Sequence, residues 1–298
     1  MALSGGGPHE SRALADLAAQ GRPRLVHDRR SSRRELVRSV VIAVVSSVVF
    51  FGVLGWIIVN SSGWPEVRQA FLDERIFWSS LPATLAGFVT NIQLFAIAEV
   101  LILVLGLLLA VMRSLPGPAF FPLRFLATLY VDVFRALPGV LVIFMLGFGI
   151  PGLAIAGLPV DPFPYAVLTL TLLYSAYVSE VYRAGIESVH PSQEAAARSL
   201  GLNRFQALRY VIVPQAIRRV IPPLLNDFIG LQKDTVLVSF LGVVEIFRTA
   251  QITNAATFNF TPYLDVALVF IVITIPLARL TDWLVERERR GRASGGLR

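Results

Sequence analysis

ESVHPSQEAAARSLGLNRFQALRYVIVPQ, residues 187–215, is a polar, Ala- and Arg-rich stretch set between long apolar runs. On its own it reads as two short helices. Pro191-Ser192 opens the first, with Ser192 as the expected N-cap and Ala195-Ala196-Ala197 as strong helix formers. Gly201 suits the left-handed C′ position that ends this helix. Asn203 is placed to cap the second, whose Phe205, Leu208, Val211 and Ile212 recur at helical spacing. A small Ala face followed by a Gly turn lets another surface approach closely. A simple linker is the blander account of the same residues.

Outward from this stretch the chain turns strongly apolar. Its 298 residues are 55% hydrophobic and 16% charged, with a mean hydropathy of +0.65. Soluble domains carry about a quarter charged residues, so this apolar excess belongs in a bilayer and not in one globular core. The net charge of +7 does not point to nucleic acid. The Arg residues gather at the edges of the apolar runs, as cytoplasmic loops require, and no aromatic-basic interleaving accompanies them. The absence of Cys excludes disulfide and thiolate chemistry.

The apolar runs predict an all-α integral membrane protein with six transmembrane helices, over residues 40–59, 85–112, 125–150, 162–181, 212–231 and 263–285. Residues 65–83 suit an outer-surface helix followed by a loop. The second run carries Glu99, a carboxylate that must face protein or water, whether as a pathway wall or as an interhelical contact. Pro138 is expected to kink the third. The fourth ends in Ser179-Glu180-Val181-Tyr182-Arg183, an acid–base cluster at the water boundary. The fifth is broken by Pro214, Arg218, Arg219, Pro222, Pro223 and Asp227, a composition tolerated only inside protein or beside a water-filled cavity. Residues 236–244 are too short to cross and read as a half-depth piece. Residues 1–38 form an Arg-rich, mostly disordered tail with a short helix near 13–19, too charged and too long for a cleaved signal peptide. A second tail covers 290–298. Both termini then lie in the cytoplasm, which the Arg distribution favours.

The stretch at 187–215 resembles the EAA loop of ABC-importer permeases, a pattern of E-A-A followed by Gly and then by Ile and Leu-Pro. Aligned on Gly201, it falls on Ala195-Ala196-Ala197, Val211, Val213 and Pro214. Tyr130-Val131-Asp132-Val133-Phe134-Arg135-Ala136-Leu137-Pro138 is similar to the Y-V-E-x-F-R-G-T-P segment of the polar amino-acid subgroup (histidine, glutamine and glutamate types). Gln232-Lys233-Asp234-Thr235-Val236-Leu237-Val238-Ser239, with Gly242 and Glu245, resembles its L-K-D-T-S-L-V-S…G-x-x-E segment, and Ser179-Glu180 through Gly185-Ile186 matches the run before its loop. There are departures. The family's Glu falls on Ala195, and Glu194 lies one residue earlier, about 100° around the helix. Ala136-Leu137 replaces Gly-Thr, and the helix at 39–60 is extra to the family's five-helix core.

The resemblance implies a type I importer permease domain over 81–289, in a bacterial plasma membrane. Its implied partners are an ABC ATPase, a second permease subunit of the same or a different chain, an extracytoplasmic solute-binding protein, lipid, and a polar amino acid as substrate. It implies Glu194, Ala195, Ala196, Ala197, Arg198, Gly201 and Leu202 as the ATPase-coupling surface. Glu99, Asn226, Asp227, Lys233, Asp234 and Thr235 are the pathway candidates, with a structural ion pair as the other account of Lys233 and Asp234. No cofactor is expected on this chain; ATP and Mg belong to the partner ATPase, since no G-x-x-x-x-G-K-[ST] occurs here. Two rivals stand beside this. An ion-coupled transporter would use Glu99 and Asp227 as a proton relay, but it predicts two related halves that the sequence does not display. A membrane enzyme finds no support, because His9, His27 and His190 have no metal spacing and there is no G-x-S-x-G elbow.

Overall fold

The computed structural model describes residues 29–295, and the side chains of 37–287. The tail calls at 1–28, with the short helix near 13–19, lie outside the described residues, as do 296–298 and the side chains of the C-terminal Arg cluster. The chain divides into two units, Met1–Trp64 and Pro65–Arg298. The first contains α1, Arg29–Val59, which begins inside the stretch expected to be tail. Its apolar part, Val37–Val59, is about 35 Å long at the α-helical rise, enough to cross a bilayer.

All the regular elements of the second unit are helices. A short amphipathic helix, α2 (Trp64–Phe71), is followed almost at once by α3 (Glu74–Ser114), so the loop expected before residue 85 is only Leu72-Asp73. Asp73 caps α3 by accepting from the N–H groups of Arg75 and Ile76, which moves the helix start eleven residues upstream of the apolar run. α2 is held by Asn259 Nδ2, which donates to the Gln69 carbonyl at 2.7 Å, and by Phe260 N–H, which donates to the Ala70 carbonyl at 2.7 Å.

α3 is the longest element of this unit and its packing axis. Its buried residues, among them Thr84, Gly87, Asn91, Leu94, Ala98, Ile102 and Gly106, recur every three or four positions and make one stripe. That stripe is rich in small residues, which lets a partner backbone come close where lipid offers no hydrophobic drive to pack. The partner is α6 (Pro162–Glu187), which makes the most extensive contact with α3. A Cβ on Gly106 would meet Val178 Cγ1 at 2.7 Å. α6 is buried along most of its length, and its Thr, Ser and Tyr residues make it less apolar than α3.

The expected third span is not one kinked helix. α4 (Phe121–Ala136) stops, Leu137 is extended, and α5 (Gly139–Gly147) leaves in a new direction. The two arms, Pro118–Ala136 and Gly139–Gly152, meet at 108°. Pro138 explains the break, because it drives the preceding residue out of the α region and withholds its own N–H from the ladder. Tyr130 fastens α4 to α6 through its hydroxyl, which donates to the Leu172 carbonyl at 2.7 Å.

After the loop at 187–215 comes α9 (Val213–Asp234), continuous through Pro222 and Pro223. A 3₁₀ segment, Thr235–Leu241, follows and ends at Gly242, whose φ of 86° only Gly adopts cheaply. The chain then enters α10 (Ile246–Thr257) and α11 (Thr261–Gly295). The segment between α9 and α10 is secured by a buried polar knot. Glu245, fully buried, caps α10 by accepting from Phe247 N–H at 3.0 Å and Arg248 N–H at 2.7 Å. Asn91 of α3 donates to both Glu245 Oε2 and Thr235 Oγ1 at 3.0 Å, and its Oδ1 accepts from Ile246 N–H. Gly87, one turn earlier, lets α3 lie against the Glu245 backbone, where a Cβ would approach to 3.0 Å.

Among the described residues three helices are long and apolar enough to span individually, and five spans result if each bent pair counts as one. The six-helix count is therefore not reproduced by length and hydropathy alone. The span expected at 162–181 does form a helix, α6, but its polar residues put it outside that tally.

Substitutions at the α3–α6 contact and in the knot test this packing. Gly106→Val forces the α3–α6 contact apart and is expected to cost about 1–3 kcal/mol, read as a lower unfolding temperature in detergent. Gly52→Val, where a Cβ meets nothing within 4 Å, should leave that temperature unchanged. Asn91→Ala takes one of three donors from the buried Glu245 and leaves the buried Ile246 N–H unpaired, and is expected to destabilise by about 1–3 kcal/mol in the same assay. Asn91→Asp should be worse, since it sets a second carboxylate against Glu245; equal unfolding temperatures for all three Asn91 forms would refute the knot.

Candidate functional site

The loop at 187–215 is built as two capped helices. α7 (Pro191–Ser199) is capped by His190, whose Nδ1 accepts from Ser192 N–H at 3.2 Å, and not by Ser192 as expected. Pro191 is the reason: with no N–H and a fixed φ it takes the first helical position and pushes His190 into extended backbone. The far end closes as a Schellman turn. Leu202 N–H donates to the Ala197 carbonyl at 3.3 Å, Gly201 N–H donates to the Arg198 carbonyl at 3.0 Å, and Gly201 has φ 89°. Asn203 caps α8 (Arg204–Ala207) in a reciprocal box with Gln206, both bonds at 2.9 Å. A π-helical turn, Leu208–Ile212, then feeds α9.

Of the residues singled out in this loop, Ala197 is buried and locks α7 to the turn, whereas Ala195, Ala196, Arg198 and Gly201 are exposed. Glu194 and Leu202 are half-buried. Beside them stand Leu200 at 85% exposure and Phe205 at 67%, apolar side chains that sequence spacing alone had assigned no role outside the helix itself or, for Leu200, no role at all. A small apolar and Arg-bearing face is thus offered outward while the backbone beneath it is hydrogen-bonded through.

The loop is tied to the helices behind it. Arg219 of α9 donates to the Ser188 carbonyl, and Gln215 Nε2 donates to Gln193 Oε1 at 3.3 Å. The acid–base cluster expected at 179–183 is present and larger than the sequence suggested. Glu180 accepts from Arg113 at 2.6 Å and from Arg183 at 2.8 Å, with Arg135 at 3.6 Å; Arg183 also pairs with Glu187 at 2.7 Å. A cavity of about 380 Å³ opens beside it, lined by Glu180, Gly185, Ser188, Arg219 and Pro223. Val220 packs so closely on Gly185 that no Cβ fits there.

The pathway candidates do not gather at one point. Glu99 of α3 and Asp227 of α9 are half-buried and lie within electrostatic reach of each other. Asn226 is exposed. Lys233 is exposed and has no ion pair among the described residues, and Asp234 accepts from the Tyr174 hydroxyl at 2.7 Å. Thr235 is fully buried and belongs to the knot with Asn91. Asn91 and Glu245 are what sequence reasoning under-read: Glu245 was quoted only as a motif letter, and Asn91 carried no motif signal beyond being an amide in an apolar run. Among the described residues no group of His, Cys, Asp and Glu could hold a metal ion.

Comparison with known proteins fits this architecture. Residues 102–290 match the model of the family described as binding-protein-dependent transport system inner membrane component. The chain is 37% identical over 217 residues to the probable glutamine ABC transporter permease protein GlnM of Bacillus subtilis (strain 168), covering 72% of this chain and 98% of that protein. It is 32% identical to the glutamine transport system permease protein GlnP of Escherichia coli (strain K12), covering 72% and 97%. Among solved structures, an amino acid ABC transporter crystallised with histidines superposes with a TM-score of 0.63 at 32% identity, over 69% of this chain and 94% of that one. The inward-facing MetNI methionine ABC transporter shares the fold, with a TM-score of 0.56 at 16% identity over 72% and 99%. The chain therefore belongs to the inner membrane component family of binding-protein-dependent transport systems, as an ABC transporter permease subunit and not an enzyme.

Proposed function

We propose that this chain is the permease of an ATP-driven importer that carries a polar amino acid, delivered by an extracytoplasmic solute-binding protein. The observation that carries the reading is the loop at 187–215: a doubly capped helix pair whose Ala195-Ala196 face is open while Ala197 and the Schellman turn fix it from behind. Glu194, Ala195, Ala196, Arg198, Gly201 and Leu202 form the surface that docks a separate ATPase, which holds ATP and Mg, and the buried Ala197 supports that surface from behind. The relatives named for glutamine and the structure crystallised with histidines support a polar amino-acid substrate.

The chain crosses the membrane six times, counting α6, with both termini in the cytoplasm. Arg113, Arg124 and the Arg residues of the loop then share the cytoplasmic side, in keeping with the positive-inside rule. Two permeases pair around the pathway, and ATP-driven closure of the docked ATPases moves the loops between inward- and outward-facing arrangements. Glu99, Asn226, Asp227, Lys233, Asp234 and Thr235 belong to the helices beside that pathway, Thr235 as part of its supporting knot.

Gly201→Val is expected to release the ATPase. Nothing crowds a side chain at this position, so the penalty is the left-handed backbone itself, about 1–2 kcal/mol, or a roughly 5–30-fold weaker retention of the ATPase on co-purification. Orientation is tested with Ala195→Cys, the only thiol in a chain without native Cys. A membrane-impermeant maleimide should modify it in inside-out vesicles and spare it in right-side-out ones; the opposite pattern puts the loop out of reach of cytosolic nucleotide and ends this reading.

A further inference from the structure

Glu180 lies in α6 two helical turns before its end at Glu187 and gathers three guanidinium groups from three helices. Arg113 comes from the last turn of α3, Arg135 from the last turn of α4, and Arg183 from α6 itself. The three contacts are not equivalent. The Arg113–Glu180 pair is close, and its side chains are only 11% and 19% exposed. Removing either member leaves a poorly solvated charge alone, so this contact is a fixed anchor. Arg183 is shared with Glu187 along one helix face. Arg135 is the outlier: at 3.6 Å it is beyond hydrogen-bond length, and its side chain is 45% exposed.

Charge counting sharpens the difference. Three guanidinium groups face two carboxylates, Glu180 and Glu187, so one cation is in excess. Arg135 can swing to water without baring a carboxylate, because Arg113 and Arg183 remain. It can also close the remaining gap at little cost. Its place in the chain gives that motion a consequence, since Arg135 stands just before the Leu137-Pro138 break, where the two arms meet at 108°. On the other side, α6 runs from Glu180 into Ser188, which Arg219 ties to α9 behind the loop.

We propose that Glu180 is a positioning residue that links the loop at 187–215 to the break at Leu137-Pro138, with Arg135 as its exchangeable arm. The inference rests on the ATP-driven import reading and adds to it a named contact through which nucleotide state at the loop reaches the bent helix pair. Opening or closing the Arg135–Glu180 contact shifts the arm that follows Pro138, while Arg113 keeps α3 and α6 together throughout.

The test uses the permease in complex with its co-purifying ATPase. Spin labels at Phe125→Cys and Val140→Cys, both exposed and on opposite sides of the break, report the bend; this chain has no native thiol, and it is labelled before the ATPase is added back. With Arg135 present, the inter-label distance is expected to differ between nucleotide-free and ATP-bound complexes. Arg135→Gln should abolish that difference while ATPase retention and ATP hydrolysis persist, and Arg135→Lys should restore it in part. An undiminished difference in Arg135→Gln, or none with Arg135 intact, overturns the proposal. Failure of any ATPase to bind the unaltered chain would instead bring down the import reading itself. Glu180→Gln is the harsher variant and is expected to lower the unfolding temperature, because it bares Arg113.

Discussion

A carboxylate sealed inside a membrane protein must find its donors within the protein, and the structure turns on how Glu245 does so. Two backbone N–H groups of α10 and the Asn91 amide supply them, and each of those donors has its own reason to be there. The start of α10 would otherwise present unpaired N–H groups beside a buried carboxylate. Asn91 would otherwise be a bare amide on a buried helix stripe. By satisfying one another they allow the chain to leave α9, turn through a 3₁₀ segment and re-enter a helix, so a non-helical interruption becomes tolerable here. Thr235 and Gly242 complete the device, one as a hydrogen-bond partner and the other as the left-handed pivot.

This knot also explains what was legible in the sequence. Apolar runs placed most helices, since the bilayer demands length and hydropathy that are visible residue by residue. The caps at Gly201 and Asn203 were equally legible, because their backbone conformations are local and few residue types meet them. Position errors arose where a Pro neighbour outranked a better capping side chain, as Pro191 did in giving the cap to His190. Pro138 produced more than a kink for a related reason: Leu137 was forced extended, so the ladder of α4 ended there.

Long-range partners were the hidden part. Nothing near Asn91 in sequence announces Glu245, and Arg113, Arg135 and Glu180 come from separate helices. α6 shows the same limit from the other direction. Its Thr, Ser and Tyr residues lower its hydropathy where protein packs around it, so a largely buried helix falls short of what length and hydropathy demand of a span. The Ala face of the loop could be read from propensity, but the flanking Leu200 and Phe205 were absorbed into helical periodicity or overlooked, and only their exposure distinguishes them.

The continuity of α3 has a mechanical meaning. A single rod about 60 Å long carries Ser80 against Asp265 near its start, Asn91 in the knot at its middle and Arg113 on Glu180 at its far end. All three ties hang on one uninterrupted helix, whereas the broken pairs beside it turn by 108° and 48°, so the joints of the subunit lie in those pairs and its continuous span in α3.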